Sequence, residues 1–381
     1  MNITKRRWLR AIDKPFIVSV LLIIVLGLLI LTSATINAVK DNPFYYLEKQ
    51  LLLIGFSIIL AYLILRIEVG QLQKVSWYVY GLALILLIVV LVFGSEQRGT
   101  TGWIGFGAAK IQPAEISKVL LITSFASFLA RRQGELETLQ QMLPAFLYVG
   151  VPFLLVMAQP DLGTGLVFLA ILVGMMLVAG ANPRVLLTLV GGAILLAVVW
   201  VVLHTHFGLW LPLKDYQLSR LTVFIDPYKD GMGGRGDGWN TIQSLVAIGS
   251  GGLVGKGLFH GTQAQLQFLP ERHTDFIYAV LGEELGFIGA AGLIILYIVM
   301  TYRALIIALE ARDLYSTLLV SGVLTMWLFH ILENIGMSIG IMPVTGIPLP
   351  FVSYGGSAML ANFMGLALIL GVNLRGRKIL F

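Results

Sequence analysis

Ten apolar runs, each close to the length of a membrane span, dominate this chain. They fall at roughly 16–34, 50–66, 75–94, 113–130, 142–158, 161–179, 184–203, 276–301, 316–337 and 354–373. A bilayer core takes about 20 apolar residues per helix. Only helices and closed barrels satisfy their backbone groups inside it. Of the 381 residues, 57% are hydrophobic and 12% charged, and the mean hydropathy is +0.88. An ordinary soluble domain carries roughly 25% charge. The pattern predicts an all-α, polytopic membrane protein with ten transmembrane helices in a single domain, 1–381. The first run has no small-residue cleavage signal after it and reads as a first membrane helix rather than a removable signal peptide.

Loop charges orient the spans. With the N-terminus inside, inner segments hold fifteen of the 26 Lys and Arg, from Lys5, Arg6 and Arg7 to Arg375, Arg377 and Lys378. The short outer segments hold Lys40, Lys49, Arg98 and Lys110. Positive loops stay cytoplasmic, so both termini are expected there. The largest non-spanning piece, about 204–275, is then extracytoplasmic. Within it, Trp239 to Ile248 has an amphipathic helical pattern. The net charge of +6 reflects loop bias, since no basic run exceeds three residues and none interleaves with aromatics; nucleic acid is not an expected partner. Cysteine is absent and the five histidines are scattered, which removes thiol chemistry and argues against zinc.

The polar residues inside this apolar frame are the functional candidates. "QPAEISK" (112–118) puts Glu115 and Lys118 at i, i+3 on one helix face at the mouth of a span. They are either a self-neutralising ion pair or the lining of a wet cavity. Trp103 stands just before them, as an interfacial belt residue or a lid. Asp161 in "QPDLGTG" sits at a tight outer turn, where it either caps the next helix or meets substrate. His330 and Glu333, again i, i+3, read as a buried hydrogen-bonded pair. "GMGGRG" matches a dinucleotide fingerprint in letters but lacks the strand–helix context that gives it meaning. The glycines of "GSGGLVGKG" (249–257) allow a tight backbone fold, or alternatively a nest of amides facing a phosphate. In "ERHTDFIYAVLGEELG" (271–286), Asp275 stands where the long outer loop enters the membrane. Partial desolvation there would raise its basicity toward that of a general base, while Arg272 and His273 would push the other way. Glu283 and Glu284 follow inside the run as polar contacts between helices.

Taken together, "QPAEISK", "QPDLGTG", "IQSLVAIGSGGLVGKG", "HTDFIYAVLGEELG" and "PVTGIPLPFVSYGGSAML" (343–360) resemble the signatures of the SEDS family (shape, elongation, division and sporulation). They come in the family's order along nearly the whole chain. "GKGLFHGTQAQLQFLPERHTDF" is similar to the RodA branch. The resemblance implies a peptidoglycan glycosyltransferase that polymerises lipid II on the outer face of the cytoplasmic membrane. It also implies a class B penicillin-binding protein as transpeptidase partner, alongside other elongation-complex membrane proteins. On that reading Asp275 is the general base, with metal ligand as the rival role. Arg98, Lys118, Lys256, Arg272 or a divalent cation such as Mg²⁺ or Mn²⁺ would neutralise the leaving diphosphate. Trp103, Glu115, Asp161, His273 and Thr274 complete the expected substrate-binding set. A flippase for lipid-linked precursors is the alternative, but no repeat relates the two halves.

Overall fold

The computed structural model describes residues 13–97, 100–106, 109–208, 210, 215–229, 232–236 and 238–375. Its helices are α1 (Lys14–Thr35), α2 (Tyr45–Arg66), α3 (Val69–Lys74), α4 (Ser76–Phe93), α5 (Pro113–Ala130), α6 (Leu139–Ala158), α7 (Leu162–Val178) and α8 (Pro183–Phe207). After the long loop's α9 (Asp215–Ile225), α10 (Trp239–Gly251) and α11 (Thr262–Gln265) come α12 (Ile277–Leu309), α13 (Leu314–Ser338) and α14 (Gly356–Arg375). Among the described residues, nine helices are long and apolar enough to cross a membrane, and α7 is apolar but shorter, at 17 residues. The ten expected spans are thus each a helix. The short one is bounded by the Asp161 cap at one end and by Gly180, at φ +90°, just beyond the other.

Two expectations need correction. The segment between α4 and α5 is not a plain loop. It is a small antiparallel sheet of β1 (Ser95–Gln97), β2 (Thr100–Phe106) and β3 (Ala109–Ile111), so the fold is mainly helical rather than wholly so. Ser95 pairs with Trp103, and Ile104 with Ile111. The second correction concerns α12, which is broken at Gly286 (φ 64°, ψ −163°). From 287 to 309 the chain is still long enough to cross roughly 30 Å on its own at about 1.5 Å per residue. The first part, with Glu283 and Glu284, is therefore not needed for the span and is set apart from it by the break.

The glycines of "GSGGLVGKG" explain the break. Here α10 and the turn after it lie backbone-to-backbone on the start of α12. The Lys256 and Gly257 amides donate to the Glu283 and Glu284 carbonyls at 3.0 and 2.9 Å. The Phe287 and Ile288 amides donate to the Gly252 and Leu253 carbonyls at 2.9 and 3.1 Å. The turn thus satisfies the groups that a break leaves open. A Cβ at Gly251 would sit 2.0 Å from the Gly282 oxygen, so only glycine permits the approach.

Three helices form the interior. Along their apolar windows, α5, α13 and α14 are 78%, 72% and 83% buried, whereas α8 is 6% buried and peripheral. The neighbour of α14 is α2, that of α12 is α1, and α13 runs against α5, α7 and α12. The central helices carry Glu115, Lys118, His330, Glu333 and Asn334 among the buried polar side chains, which brings polar chemistry to the bundle axis.

Candidate active site

Asp275 is positioned by a turn, a loop and a helix face. The turn is local. The Glu271 carbonyl accepts from the amides of Thr274, Asp275 and Phe276, at 3.1, 3.1 and 3.2 Å, with Glu271 itself at φ 52°. A left-handed non-glycine residue costs roughly 1–2 kcal/mol, and such strain collects at functional sites. The loop is "PVTGIPLPFVSYGG". Its Tyr354 amide donates to the His273 carbonyl at 2.9 Å, and the Ser353 hydroxyl donates to the Thr274 carbonyl at 2.6 Å. A Cβ on Gly346 would come within 3.3 Å of Asp275 Oδ2, so this loop lies directly over the carboxylate.

The helix face belongs to α13. Asn334 Nδ2 donates to the carbonyls of Asp275 and Ile347, both at 2.8 Å. Glu333 accepts from the Thr345 hydroxyl at 2.7 Å. His330 Nε2 lies 3.0 Å from Lys118 Nζ, and its Nδ1 is 2.6 Å from the Met326 carbonyl. The Nδ1 proton therefore goes to Met326, and Nε2 accepts from the ammonium. One face of one helix thus holds Lys118, the covering loop and the Asp275 backbone. His330 and Glu333 do not bond each other, as their spacing suggested. Each reaches a different partner.

The remaining candidates are placed as follows. Lys118 and Glu115 form an ion pair at 2.7 Å, with side chains 1% and 7% exposed. Asp161 caps α7, accepting from the Thr164 amide at 3.0 Å and hydroxyl at 2.8 Å, and holds the Gln112 amide group at 2.9 Å. Trp103 lies in β2, half-buried. Lys256 does not face outward. It bonds Glu283 at 2.6 Å and Thr262 at 2.7 Å, because Glu283 is fully buried and needs a counter-charge. Arg272 donates to the Ala34 carbonyl at the end of α1, at 2.7 Å, and burial lowers its pKa from the usual value. His273 packs in a three-ring cluster with Tyr46 and Tyr354, at 5.0 and 5.8 Å, with the two tyrosine rings 5.1 Å apart. Thr274 bonds Glu271. Arg98 lies outside the described residues.

Sequence reasoning missed Asn334, Thr345, Ser353 and Arg220. Arg220 of α9 donates to the Thr345 carbonyl at 3.3 Å, bringing a cation to the covering loop. Asn334 directly follows Glu333 and shares its helix face, which was the available signal.

The family model for cell cycle proteins of the FtsW/RodA/SpoVE type matches residues 13–378. The chain is 36% identical over 362 residues to the peptidoglycan glycosyltransferase MrdB of Escherichia coli (strain K12), covering 95% of this chain and 94% of the relative. It is also 36% identical over 369 residues to the stage V sporulation protein E of Bacillus subtilis (strain 168), covering 95% and 96%. Its fold resembles the Thermus thermophilus rod shape determining protein RodA, with a TM-score of 0.68, 30% identity and coverage of 95% and 96%. A chain of a peptidoglycan synthase complex that coordinates polymerization and crosslinking matches with a TM-score of 0.78, 30% identity and coverage of 95% and 97%. The order of motifs, the helical frame and these matches agree: the chain belongs to the FtsW/RodA/SpoVE family of cell cycle proteins.

Proposed function

We infer that this chain is a peptidoglycan glycosyltransferase of the bacterial cytoplasmic membrane. We propose that it polymerises lipid II into β-1,4 glycan strands on the outer face, in the elongation role of the RodA branch. The observation that carries the reading is the placement of Asp275. It is a partly exposed carboxylate at the loop-side end of the spans, fixed through its own backbone by Asn334 and covered by the 343–355 loop. The branch assignment rests on "GKGLFHGTQAQLQFLPERHTDF".

The reaction is one inverting displacement. The donor sugar is α-linked to undecaprenyl diphosphate, and the product linkage is β. Asp275 takes the proton of the acceptor's 4-hydroxyl as that oxygen attacks the anomeric carbon and the diphosphate leaves with the bonding pair. A placed base contributes typically 10²–10⁴-fold. The leaving group is stable as an anion and needs charge rather than a proton. Arg272, bonded to the end of α1, and Arg220, bonded to the covering loop, are the candidate cations for this role. Lys118 lies in the interior, where Glu115 pairs its charge and His330 holds its ammonium in place.

Among the described residues no group of three or more His, Cys, Asp or Glu could hold a metal. Mg²⁺ commonly takes one or two carboxylates and completes its shell with phosphate and water. A single carboxylate suits that donor set, so in the role that rivals the base Asp275 would instead hold Mg²⁺ or Mn²⁺. Bound there, the ion would supply charge neutralisation. The transpeptidase partner is a class B penicillin-binding protein, supported by the match to a chain from a synthase complex.

The test uses the protein purified with its cognate penicillin-binding protein, transpeptidase blocked, and supplied with lipid II. Glycan chains on a gel support a polymerase. Their absence under every divalent cation tried would sink it in favour of a flippase. Addition of a chelator abolishes chains if the ion is required.

A further inference from the structure

A second built site lies at the opposite end of the bundle from Asp275. A cavity of about 230 Å³ opens between the start of α4, the end of α5 and the middle of α6. Trp77, Phe128 and Tyr148 form its apolar wall, with Ser76, Ser124 and Ser127 as small polar groups and Arg131 and Arg132 as its cations. On the orientation that loop charges predict, this is the cytoplasmic surface.

The wall is a rigid aromatic stack. Tyr148 lies 4.1 Å from Tyr80, 4.7 Å from Phe128 and 5.7 Å from Phe125, all stacked, and 6.1 Å from Trp77. The Arg132 guanidinium sits 5.6 Å over the Phe128 ring. Its Nε is buried and makes no hydrogen bond. The Glu135 carboxylate lies 3.7 Å away, too far for a hydrogen bond, and its side chain is 63% exposed. A buried guanidinium N–H with no acceptor costs free energy until an acceptor arrives.

The occupant follows from three properties. The cations call for an anion. Beyond the cavity α6 exposes Leu147, Val151 and Leu154, an apolar surface continuous with the wall's own helix. The volume is below the roughly 300–1,000 Å³ of sites that enclose a whole ligand, so only part of a molecule enters. A lipid whose head is gripped and whose tails remain in the bilayer meets all three, and basic pockets between helices on the cytoplasmic side commonly hold such heads. We propose that this cavity binds the headgroup phosphate of an anionic phospholipid of the inner leaflet, with Arg131 and Arg132 on the phosphate and an acyl chain along Tyr148 and Phe128. This site is separate from the polymerising one.

The test is thermal unfolding of the full-length protein in neutral detergent. Short-chain phosphatidylglycerol, phosphatidylcholine of the same chain length and inorganic phosphate are titrated in turn. Phosphatidylglycerol alone is expected to raise the midpoint saturably. The double variant Arg131→Gln/Arg132→Gln should need at least tenfold more lipid, while Arg131→Lys/Arg132→Lys stays close to wild type. The proposal is overturned if phosphatidylcholine stabilises equally, if inorganic phosphate alone reproduces the shift, or if the glutamine variant responds as wild type does. The wild-type comparison of lipids decides the matter even where a variant folds poorly.

Discussion

At the scale of single residues, the buried polar groups around Asp275 are each tied to a specific partner. Asn334 shows the consequence. Its Nδ2 serves two carbonyls, which also fixes which end of the amide is nitrogen. Asn334→Ala strands both carbonyls, at about 1–3 kcal/mol for each left unsatisfied. Because one of them belongs to Asp275, glycan synthesis should fall more than the melting temperature alone accounts for. A loss of activity at temperatures where the variant is fully folded checks this. The Glu115–Lys118 pair gives a cycle. Lys118→Met or Glu115→Gln alone leaves a buried charge without its partner, a loss of roughly 3–5 kcal/mol. The double variant should recover much of that stability and none of the activity. Unfolding midpoints beside glycan yield read the two effects apart. In the sequence, the i, i+3 spacing of Glu115 and Lys118 made their pairing legible. It misled for His330 and Glu333, because spacing reports a shared face and not which neighbouring element that face meets.

At the scale of elements, the outer loop is held by the break in α12. The Gly286 conformation, the Gly251 contact and the reciprocal amide bonds form one joint. Gly255 is at φ +80°, and a Cβ there would sit 2.1 Å from the Glu284 oxygen. Gly255→Ala therefore combines left-handed strain of about 1–3 kcal/mol with a backbone clash. The variant is expected to melt well below wild type. It should also become cleavable by protease within 252–268, because that segment loses its seat. Lys256→Met acts on the same joint by leaving Glu283 buried without its cation, and should destabilise by roughly 3–5 kcal/mol. Sequence periodicity located α10 and the tight glycine turn. It did not locate the break, since an apolar run stays apolar across a kink. The sheet β1–β3 was equally hidden, because β1 and β3 are only three residues each.

At the scale of the whole molecule, the spans came straight from the solvent: ten apolar runs gave ten helices, with ends within about three residues except for the start of α2 and the ends of α8 and α12. The chain has no cysteine, so single cysteines report topology without background. Ser95→Cys should react with an impermeant thiol reagent on intact cells. A cysteine replacing Glu310 should react only after permeabilisation. The reverse pattern would invert the account of which face carries the chemistry. The catalytic candidate was legible because an acid at the rim of an apolar span demands a reason. Its supports were not, since Asn334, Thr345 and Ser353 act through backbone contacts made only in the folded chain. The most direct test is polymerisation of lipid II by Asp275→Asn, in complex with the penicillin-binding protein and beside wild type. The substitution keeps the shape and the Asn334 contact to the backbone while removing the base. We predict chains from wild type and none from an intact complex of the variant. Chains of equal yield from both would contradict the placement of Asp275 at the centre of the reaction.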